Sequence, residues 1–222
     1  KVSDVNFIEL ATDAIMGKKL DHVDKSTLDL DYVAVKAPQF SFSRLKGADP
    51  LLGVEMSSTG EVACLGNDLE EAFLKALIAT GFKMPNKNIL LTIGGEDNRI
   101  DLLEEIKTLN SMGFTLYATE HTSEFLDKHK IQNKRLHKMQ EHKDPNISEF
   151  ISNKKIDLVI CIAQELNQEN LERHYDLRRL ATDFNVPLIT NKQIARLFIN
   201  SIKSKKINQL EIKPLEEYIN SN

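Results

Sequence analysis

The chain has 222 residues, 41% of them hydrophobic and 28% charged, a composition that supports a globular core in one or two domains. Its formal net charge of -4, with both signs interspersed, argues against a nucleic-acid partner. No apolar run reaches the ~18 residues that a membrane helix needs, and the first ten residues lack the pattern of a secretory signal, so we expect no membrane partner either.

Two sequence features bear on the cellular setting. Cys64 and Cys161 form no CxxC pair, which is typical of reduced intracellular proteins, and we expect a cytoplasmic location. The chain opens with Lys1 directly on an amphipathic segment, so we expect it to be a piece of a longer protein.

The first part of the chain predicts a small α+β unit. Residues 6–17 have a helical pattern that ends at a glycine, and residues 31–45 look extended, with an interruption at Pro38. Residues 69–81 predict an amphipathic helix, whose buried face we assign to Leu69, Phe73, Leu77 and Ile78. Pro85 follows, so we divide the chain into domains at 1–86 and 87–222.

From residue 87 onward, apolar runs alternate regularly with helical patterns. The runs cover residues 88–95, 114–119, 134–139, 156–163 and 187–190. Continuous apolar runs are typical of strands buried on both faces, and helices between such strands predict right-handed crossovers. The fold class is therefore α/β, with a doubly wound, mostly parallel five-stranded sheet. The polar tail from residue 204 predicts a peripheral strap or a frayed end.

The junction LYATEHTSEF, residues 116–125, places two hydroxyls where a strand runs into a helix. We expect Thr119 to end the second strand and Thr122 to begin the second helix. Ligands of doubly wound sheets bind beyond the carboxyl ends of the strands, where helix N-termini attract anions. The two hydroxyls could therefore hold a phosphate. The alternative is that Thr122 only caps the helix.

Other polar side chains fall on the same predicted edge. Thr92 lies near the end of the first strand, Arg99 in the first helix, Lys138 at the end of the third strand, and Thr190 with Asn191 at the end of the fifth. Each has an alternative role, as a solvated charge or as a helix cap. Their convergence on one edge favours an anion site. For the paired Arg178 and Arg179 we expect salt bridges or an interface rather than a ligand.

We find no catalytic or metal-binding pattern. The histidines lack metal-ligand spacing, and His121 is the one that we expect to approach a bound anion. There is no GxxxxGK[ST] and no GxSxG, and the glycine pair at 94–95 lacks the rest of a dinucleotide fingerprint. No two carboxylates form a defensible acid–base pair.

Two long stretches resemble one protein family. Residues 40–66, FSFSRLKGADPLLGVEMSSTGEVACLG, are similar to the end of the second ATP-grasp half of a carbamoyl-phosphate synthetase large subunit. From NILLTIGG to about Lys203 the chain resembles that family's C-terminal allosteric domain, with YATEHTS and RRLATDFNVPLITN as landmarks. The residues in these two stretches are most similar to those of the eukaryotic glutamine-dependent type. The resemblance implies a methylglyoxal-synthase-like fold preceded by a smaller ATP-grasp remnant.

The resemblance also implies roles for residues at the sheet edge. Thr119 and Thr122 match phosphate-binding threonines, Lys138 matches a basic ligand residue, and Thr92 replaces a small hydroxyl residue. Arg99 lies at or beside a basic family position. The chain departs from the family at residues 161–164, where relatives carry an Asn-Thr type stretch, so a base or ribose contact is lost or passes to Gln164. The implied effector is a nucleotide or phosphoribosyl compound, such as UMP or phosphoribosyl pyrophosphate. The absence of tryptophan disfavours N-acetylglutamate.

The family's ATP and magnesium ligands lie upstream of residue 1, so the resemblance implies that this segment is not catalytic and holds no cofactor. The intact protein would be a ligase that joins bicarbonate, ammonia from a glutaminase and phosphate from ATP with Mg or Mn, in pyrimidine or arginine synthesis. Two alternatives stay open. One is a docking module with a decayed effector site. The other is a free-standing lyase acting on dihydroxyacetone phosphate, for which Glu165 would be the base despite the missing glycines.

Overall fold

The structure is a computed structural model that describes residues 2–3, 5–20, 30–51, 56–164 and 168–219. Two sequence predictions fall partly or wholly outside these ranges. They are the middle of the motif at 40–66, of which residues 52–55 are not described, and the lyase base Glu165. Among the helices of the described segments, none combines the length and the apolar character that crossing a bilayer requires.

A five-stranded parallel sheet forms the centre of the molecule, as the apolar runs predict. Its strands are β3 (Asn88–Ile93), β4 (Thr115–Ala118), β5 (Lys134–Arg135), β6 (Leu158–Ile162) and β7 (Leu188–Ile189), in the spatial order β5-β4-β3-β6-β7. In the register, Leu90 lies beside Tyr117 on one side and Val159 on the other. The α/β fold class is confirmed.

A two-stranded antiparallel sheet precedes the large one. It consists of β1 (Val33–Gln39) and β2 (Gly60–Gly66). The expected interruption at Pro38 is wrong, because β1 continues through Pro38, which pairs with Glu61. A two-stranded sheet tolerates proline, since alternate N–H groups point away from the partner strand.

Helices connect the strands and cover both faces of the large sheet. They are α1 (Phe7–Ile15), α2 (Leu69–Ala79), α3 (Glu96–Asp101), α4 (Leu103–Ser111), α5 (Glu120–Lys128), α6 (Ile147–Ser152), α7 (Gln168–Asp183), α8 (Lys192–Ser204) and α9 (Leu215–Ile219). Short 3-10 turns occupy Phe42–Arg44, Met139–Glu141 and Ile207–Gln209.

The two faces of the sheet carry separate apolar clusters. Ile89, Leu91 and Ile93 point to one face, where α2, α4, α5 and α8 supply further core residues. Leu90 points to the other face, which α6 and α7 cover. Because side chains alternate along a strand, Thr92 shares the face of Leu90 and lies beneath α7. This alternation decides which helix overlies the candidate site.

Helix α2 lies in the first part of the chain but packs against both parts. Phe73 is buried in the cluster under α8, so the core of the large sheet extends across the predicted boundary at residue 86. The predicted buried face of α2 is only partly right, because Leu69 is 44% and Ile78 40% exposed. Ala72, Leu74 and Ala76 are buried in their place, since α2 contacts the small sheet as well as α8.

Candidate functional site

The candidate site consists of residues at the carboxyl ends of β3 and β4. Thr92 is the fifth residue of β3, and Thr119 connects β4 to α5. Both side chains are buried. Rather than capping α5, the Thr119 hydroxyl donates to Thr92 Oγ1 at 3.2 Å. The two hydroxyls therefore form one polar spot on the α7 face of the sheet.

Lys138 joins these threonines from the third connection. It follows the short strand β5 and immediately precedes the turn Met139–Glu141. Its backbone N–H donates to Glu141 Oε1 at 3.1 Å, which fixes the start of that turn. Thr92, Thr119 and Lys138 line a single cavity. Three of the predicted site residues thus come together, although they lie 27 and 19 residues apart in sequence.

The cavity is small. Its volume is about 20 Å³, which is space for roughly one water molecule. Met139, Ile147 and Leu177 line the cavity beside the polar groups. A nucleotide-sized ligand needs a pocket of about 300 Å³ or more. Such a ligand can enter only if the covering segments move.

Helix α7 supplies polar groups that sequence reasoning missed. His174 and Asp176 line the cavity together with Lys138, so the cavity contains a carboxylate as well as a cation. Asp176 Oδ2 accepts from Gln140 Nε2 at 2.9 Å, which links α7 to the turn after Lys138. No spacing pattern in the sequence marks these residues, because they reach the site across the sheet face. His121, which we expected near the anion, has a 77% exposed side chain.

Thr122 and Arg99 lie close to the site but are directed at the backbone of β3. Thr122 is 1% exposed, and its Oγ1 accepts from the N–H of Ile93 at 3.0 Å. Arg99 Nη1 donates to the carbonyl oxygen of Ile93 at 3.0 Å, and its guanidinium lies over the Phe125 ring. Both side chains therefore hold the end of β3 in place and do not line the cavity.

The remaining predicted residues are spread along the edge. Gln164 is exposed, and its backbone packs so closely on Gly94 that a Cβ there would lie 2.7 Å from the Gln164 nitrogen. Asn191 Oδ1 accepts from the N–H of Ile194 at 3.0 Å, so Asn191 caps α8. Thr190 is half-buried at the end of β7. None of these three lines the cavity.

Arg178 and Arg179 make an internal interface, as predicted. Arg178 is 1% exposed and forms a two-pronged pair with the Asp49 carboxylate, with Nε donating to Oδ1 at 2.8 Å. Arg178 also contacts Cys161, whose pKa burial raises to about 12 despite the nearby guanidinium. Arg179 Nη1 donates to three carbonyl oxygens, those of Phe42, Leu45 and Ala48.

The described side chains do not form a metal site, and the Cys161 thiol is not an activated nucleophile. In these parts of the chain, no three His, Cys, Asp or Glu side chains come together as a metal site requires. The Cys161 thiol is fully buried, and its raised pKa keeps it protonated near neutral pH. The groups in the cavity that suit an anion are the hydroxyls of Thr92 and Thr119 and the side chain of Lys138, and the Asp176 carboxylate lies beside them.

Comparisons with known proteins identify relatives. A family model described as the MGS-like domain matches residues 101–190. "Multifunctional protein URA2" of Saccharomyces cerevisiae is 47% identical over 211 residues, which cover 91% of this chain and 10% of that protein. "Carbamoyl-phosphate synthase [ammonia], mitochondrial" of Homo sapiens is 39% identical over 228 residues, or 98% of this chain and 15% of that protein.

Among solved structures, a methylglyoxal synthase from Elizabethkingia anophelis matches with a TM-score of 0.39 and 18% identity, over 63% of this chain and 97% of that one. A structural match at this score supports no conclusion about function. The chain spans about a tenth to a seventh of the length of the two curated relatives.

Proposed function

We propose that this chain, which contains an MGS-like domain and is related over nine tenths of its length to a segment of carbamoyl-phosphate synthases, is the allosteric effector-binding region of such an enzyme. The observation that carries the proposal is the convergence of Thr92, Thr119 and Lys138 on one cavity. Two hydroxyls and an ammonium group are suited to the oxygens of a phosphate.

The proposal assigns a part to each region of the intact protein. Residues 1–86 would be the end of an ATP-grasp domain, and residues 87–222 the regulatory domain. The catalytic parts, including the glutaminase and the sites for ATP with Mg or Mn, would lie elsewhere in the longer protein. That protein would form carbamoyl phosphate for pyrimidine synthesis in the cytoplasm. The fragment itself would carry out no chemistry.

The effector would be an anionic metabolite such as UMP or phosphoribosyl pyrophosphate. Its phosphate would contact the hydroxyls of Thr92 and Thr119 and the ammonium of Lys138. Its ribose would occupy space that Met139 and Leu177 now fill. Thr122 and Arg99 would act indirectly, because both fix the backbone of Ile93 beside the site.

A docking module without an effector is the second candidate. The small cavity favours it, because a volume of about 20 Å³ admits no metabolite as it stands. The Asp176 carboxylate in the same cavity also opposes an anion. The two candidates differ in whether the covering segments open.

Calorimetric titration separates them. We expect the folded chain to bind UMP or phosphoribosyl pyrophosphate, and Lys138→Ala to weaken that binding at least tenfold, since a charge-assisted hydrogen bond contributes about 1.5–3 kcal/mol. Lys143→Ala is the matched control, because Lys143 is exposed and does not line the cavity. Absence of binding by folded wild-type protein would favour the docking module. Release of phosphate from dihydroxyacetone phosphate would instead favour the lyase.

A further inference from the structure

Helix α7 contacts two different regions with two of its sides. One side lines the cavity through His174, Asp176 and Leu177. The other side holds residues 42–49, FSRLKGAD, which we call the docking segment. These residues belong to the first part of the chain, and α7 belongs to the large sheet. A single helix therefore contacts both the candidate effector site and the part preceding residue 86.

Three side chains of α7, those of Tyr175, Arg178 and Arg179, attach the docking segment to the helix. The Tyr175 hydroxyl donates to the carbonyl oxygen of Gly47 at 2.8 Å, and Arg178 pairs with Asp49. Arg179 Nη1 donates to backbone carbonyls of the segment at distances of 2.9 to 3.1 Å. Because Arg178 and Arg179 are both buried, neither guanidinium can be moved away without losing partners that water does not readily replace.

The cavity side of α7 is tied to the turn after Lys138. The Gln140 side chain donates to Asp176 at 2.9 Å, and Leu177 and Met139 meet in the cavity. An occupant larger than a water molecule must separate these groups. An α-helix with intact backbone hydrogen bonds moves as a unit over one or two turns, so a shift at Asp176 carries Tyr175, Arg178 and Arg179 with it.

We propose that α7 couples the cavity to the docking segment. A ligand entering the cavity displaces α7 from the turn Met139–Glu141, and the three anchors transmit that displacement to residues 42–49. By reciprocity, loosening the docking segment loosens the mouth of the cavity. The ligand-dependent half of this coupling rests on the proposed function. The reciprocal half does not, because it concerns the chain without a ligand.

Hydrogen exchange followed by mass spectrometry tests the reciprocal half. In the ligand-free chain, Asp49→Asn removes the charge that pairs with Arg178. We expect exchange to quicken several-fold at amides of the docking segment, and also at residues 138–141 and 174–179. Asp31→Asn, an exposed aspartate in the same part of the chain, should leave all three regions unchanged. Quickening confined to residues 42–49 would overturn the proposal.

Three further measurements separate local loosening from unfolding and test the coupling from both ends. Exchange within β3, residues 88–93, should stay at the wild-type rate, which separates a local loosening from global unfolding. If Asp49→Asn does not fold, Arg179→Lys replaces it, because lysine keeps the charge but cannot reach three carbonyls. In the opposite direction, Gln140→Ala should quicken exchange in the docking segment. An unchanged docking segment in Gln140→Ala would count against the coupling.

The ligand-dependent half is tested with UMP and phosphoribosyl pyrophosphate. Calorimetry measures their binding, and hydrogen exchange is measured with and without each compound. Binding accompanied by altered exchange at residues 42–49 supports the coupling. Binding with an unchanged docking segment overturns the ligand-dependent half and leaves the proposed function standing. If neither compound binds, the proposed function fails, whereas the ligand-free comparison of Asp49→Asn with wild type still decides whether α7 connects the two regions.

Discussion

At the scale of single residues, the cavity brings together groups of opposite charge. Lys138 is suited to an anion, and Asp176 opposes one. Asp176→Asn removes the charge while an amide oxygen can still accept from Gln140. We expect phosphate-bearing ligands to bind about fivefold more tightly, corresponding to ~1 kcal/mol for a charge pair a few ångströms apart in a solvated site.

Calorimetry at two salt concentrations measures this effect, since the gain from Asp176→Asn should shrink as salt screens the repulsion. Asp31→Asn serves as the control for a change in net charge alone. An affinity that is the same in wild type and Asp176→Asn would show that the bound anion does not approach this carboxylate.

The same residues show what sequence alone can predict about the site. Thr92, Thr119 and Lys138 follow from one rule, that polar groups after parallel strands meet at one edge. Spacing cannot tell whether a hydroxyl at that edge points to a ligand or to a neighbouring strand, and Thr122 proves to hold Ile93. Leu177 lies outside any such rule, because it reaches the cavity from a helix lying across the sheet face.

At the scale of elements, α2 owes part of its position to a nearly buried ion pair. Glu71 is 5% exposed, and its carboxylate accepts from Lys75 at 2.7 Å and from the N–H of Asn67 at 2.9 Å. Burial raises the pKa of Glu71, but these two hydrogen bonds together outweigh it and hold the pKa below its ordinary value of 4.5. The stabilisation is therefore present above pH 4.5 and is lost as pH falls through the lower, folded-state pKa.

Glu71→Gln should remove this pH dependence. At pH 7 we expect a loss of about 1.5–3 kcal/mol in the free energy of unfolding, as for hydrogen bonds to a charged group. The difference from wild type should shrink as the pH falls below 4.5 and through the lowered pKa of Glu71. Urea denaturation at several pH values measures it. Glu104→Gln breaks an exposed pair with Lys107 and should cost about 0.5 kcal/mol or less. A pH-independent difference would contradict the assigned ionisation.

Element boundaries depend on contacts that periodicity does not encode. The helical pattern after β3 predicts one helix, whereas the structure has α3 and α4 meeting at Leu102. β5 and β7 are each two residues long, because only Lys134 and Arg135 of the first predicted run, and Leu188 and Ile189 of the second, pair with a neighbouring strand. For α2 the predicted buried face is right at Phe73 but wrong at Leu69 and Ile78, because the helix packs against both the small sheet and α8.

At the scale of the whole molecule, helix α9 near the end of the chain packs against the first part of the chain. Tyr218 in α9 is 6% exposed and packs edge-on against Tyr32, with ring centroids 5.8 Å apart. Lys75 Nζ donates to the Tyr218 hydroxyl at 3.0 Å. The predicted strap is therefore packed against the small sheet. A boundary drawn from a proline after α2 cannot reveal this contact, because residues 205–219 are remote in sequence from the surface that they cover.

The contact between α9 and the first part of the chain predicts how strongly the stability of one part depends on the other. Tyr218→Ala removes the Tyr32 contact and one wall of a groove that Cys64 also lines. We expect a loss of about 2–4 kcal/mol in the free energy of unfolding, near the range for removing a large buried side chain. Tyr218→Phe keeps the ring and should cost only about 1 kcal/mol.

Thiol labelling locates the effect of Tyr218→Ala. Burial raises the pKa of both thiols. Cys161 is buried and contacts Arg178, whereas Cys64 is half-buried and lines the groove. Tyr218→Ala should therefore quicken the labelling of Cys64 and leave Cys161 protected. Equal acceleration at both thiols would mean that the whole molecule opens together, so that the strap stabilises the large sheet as much as the small one. Because Phe73 already carries the core across residue 86, the relative rates at the two thiols measure how far the two parts unfold independently.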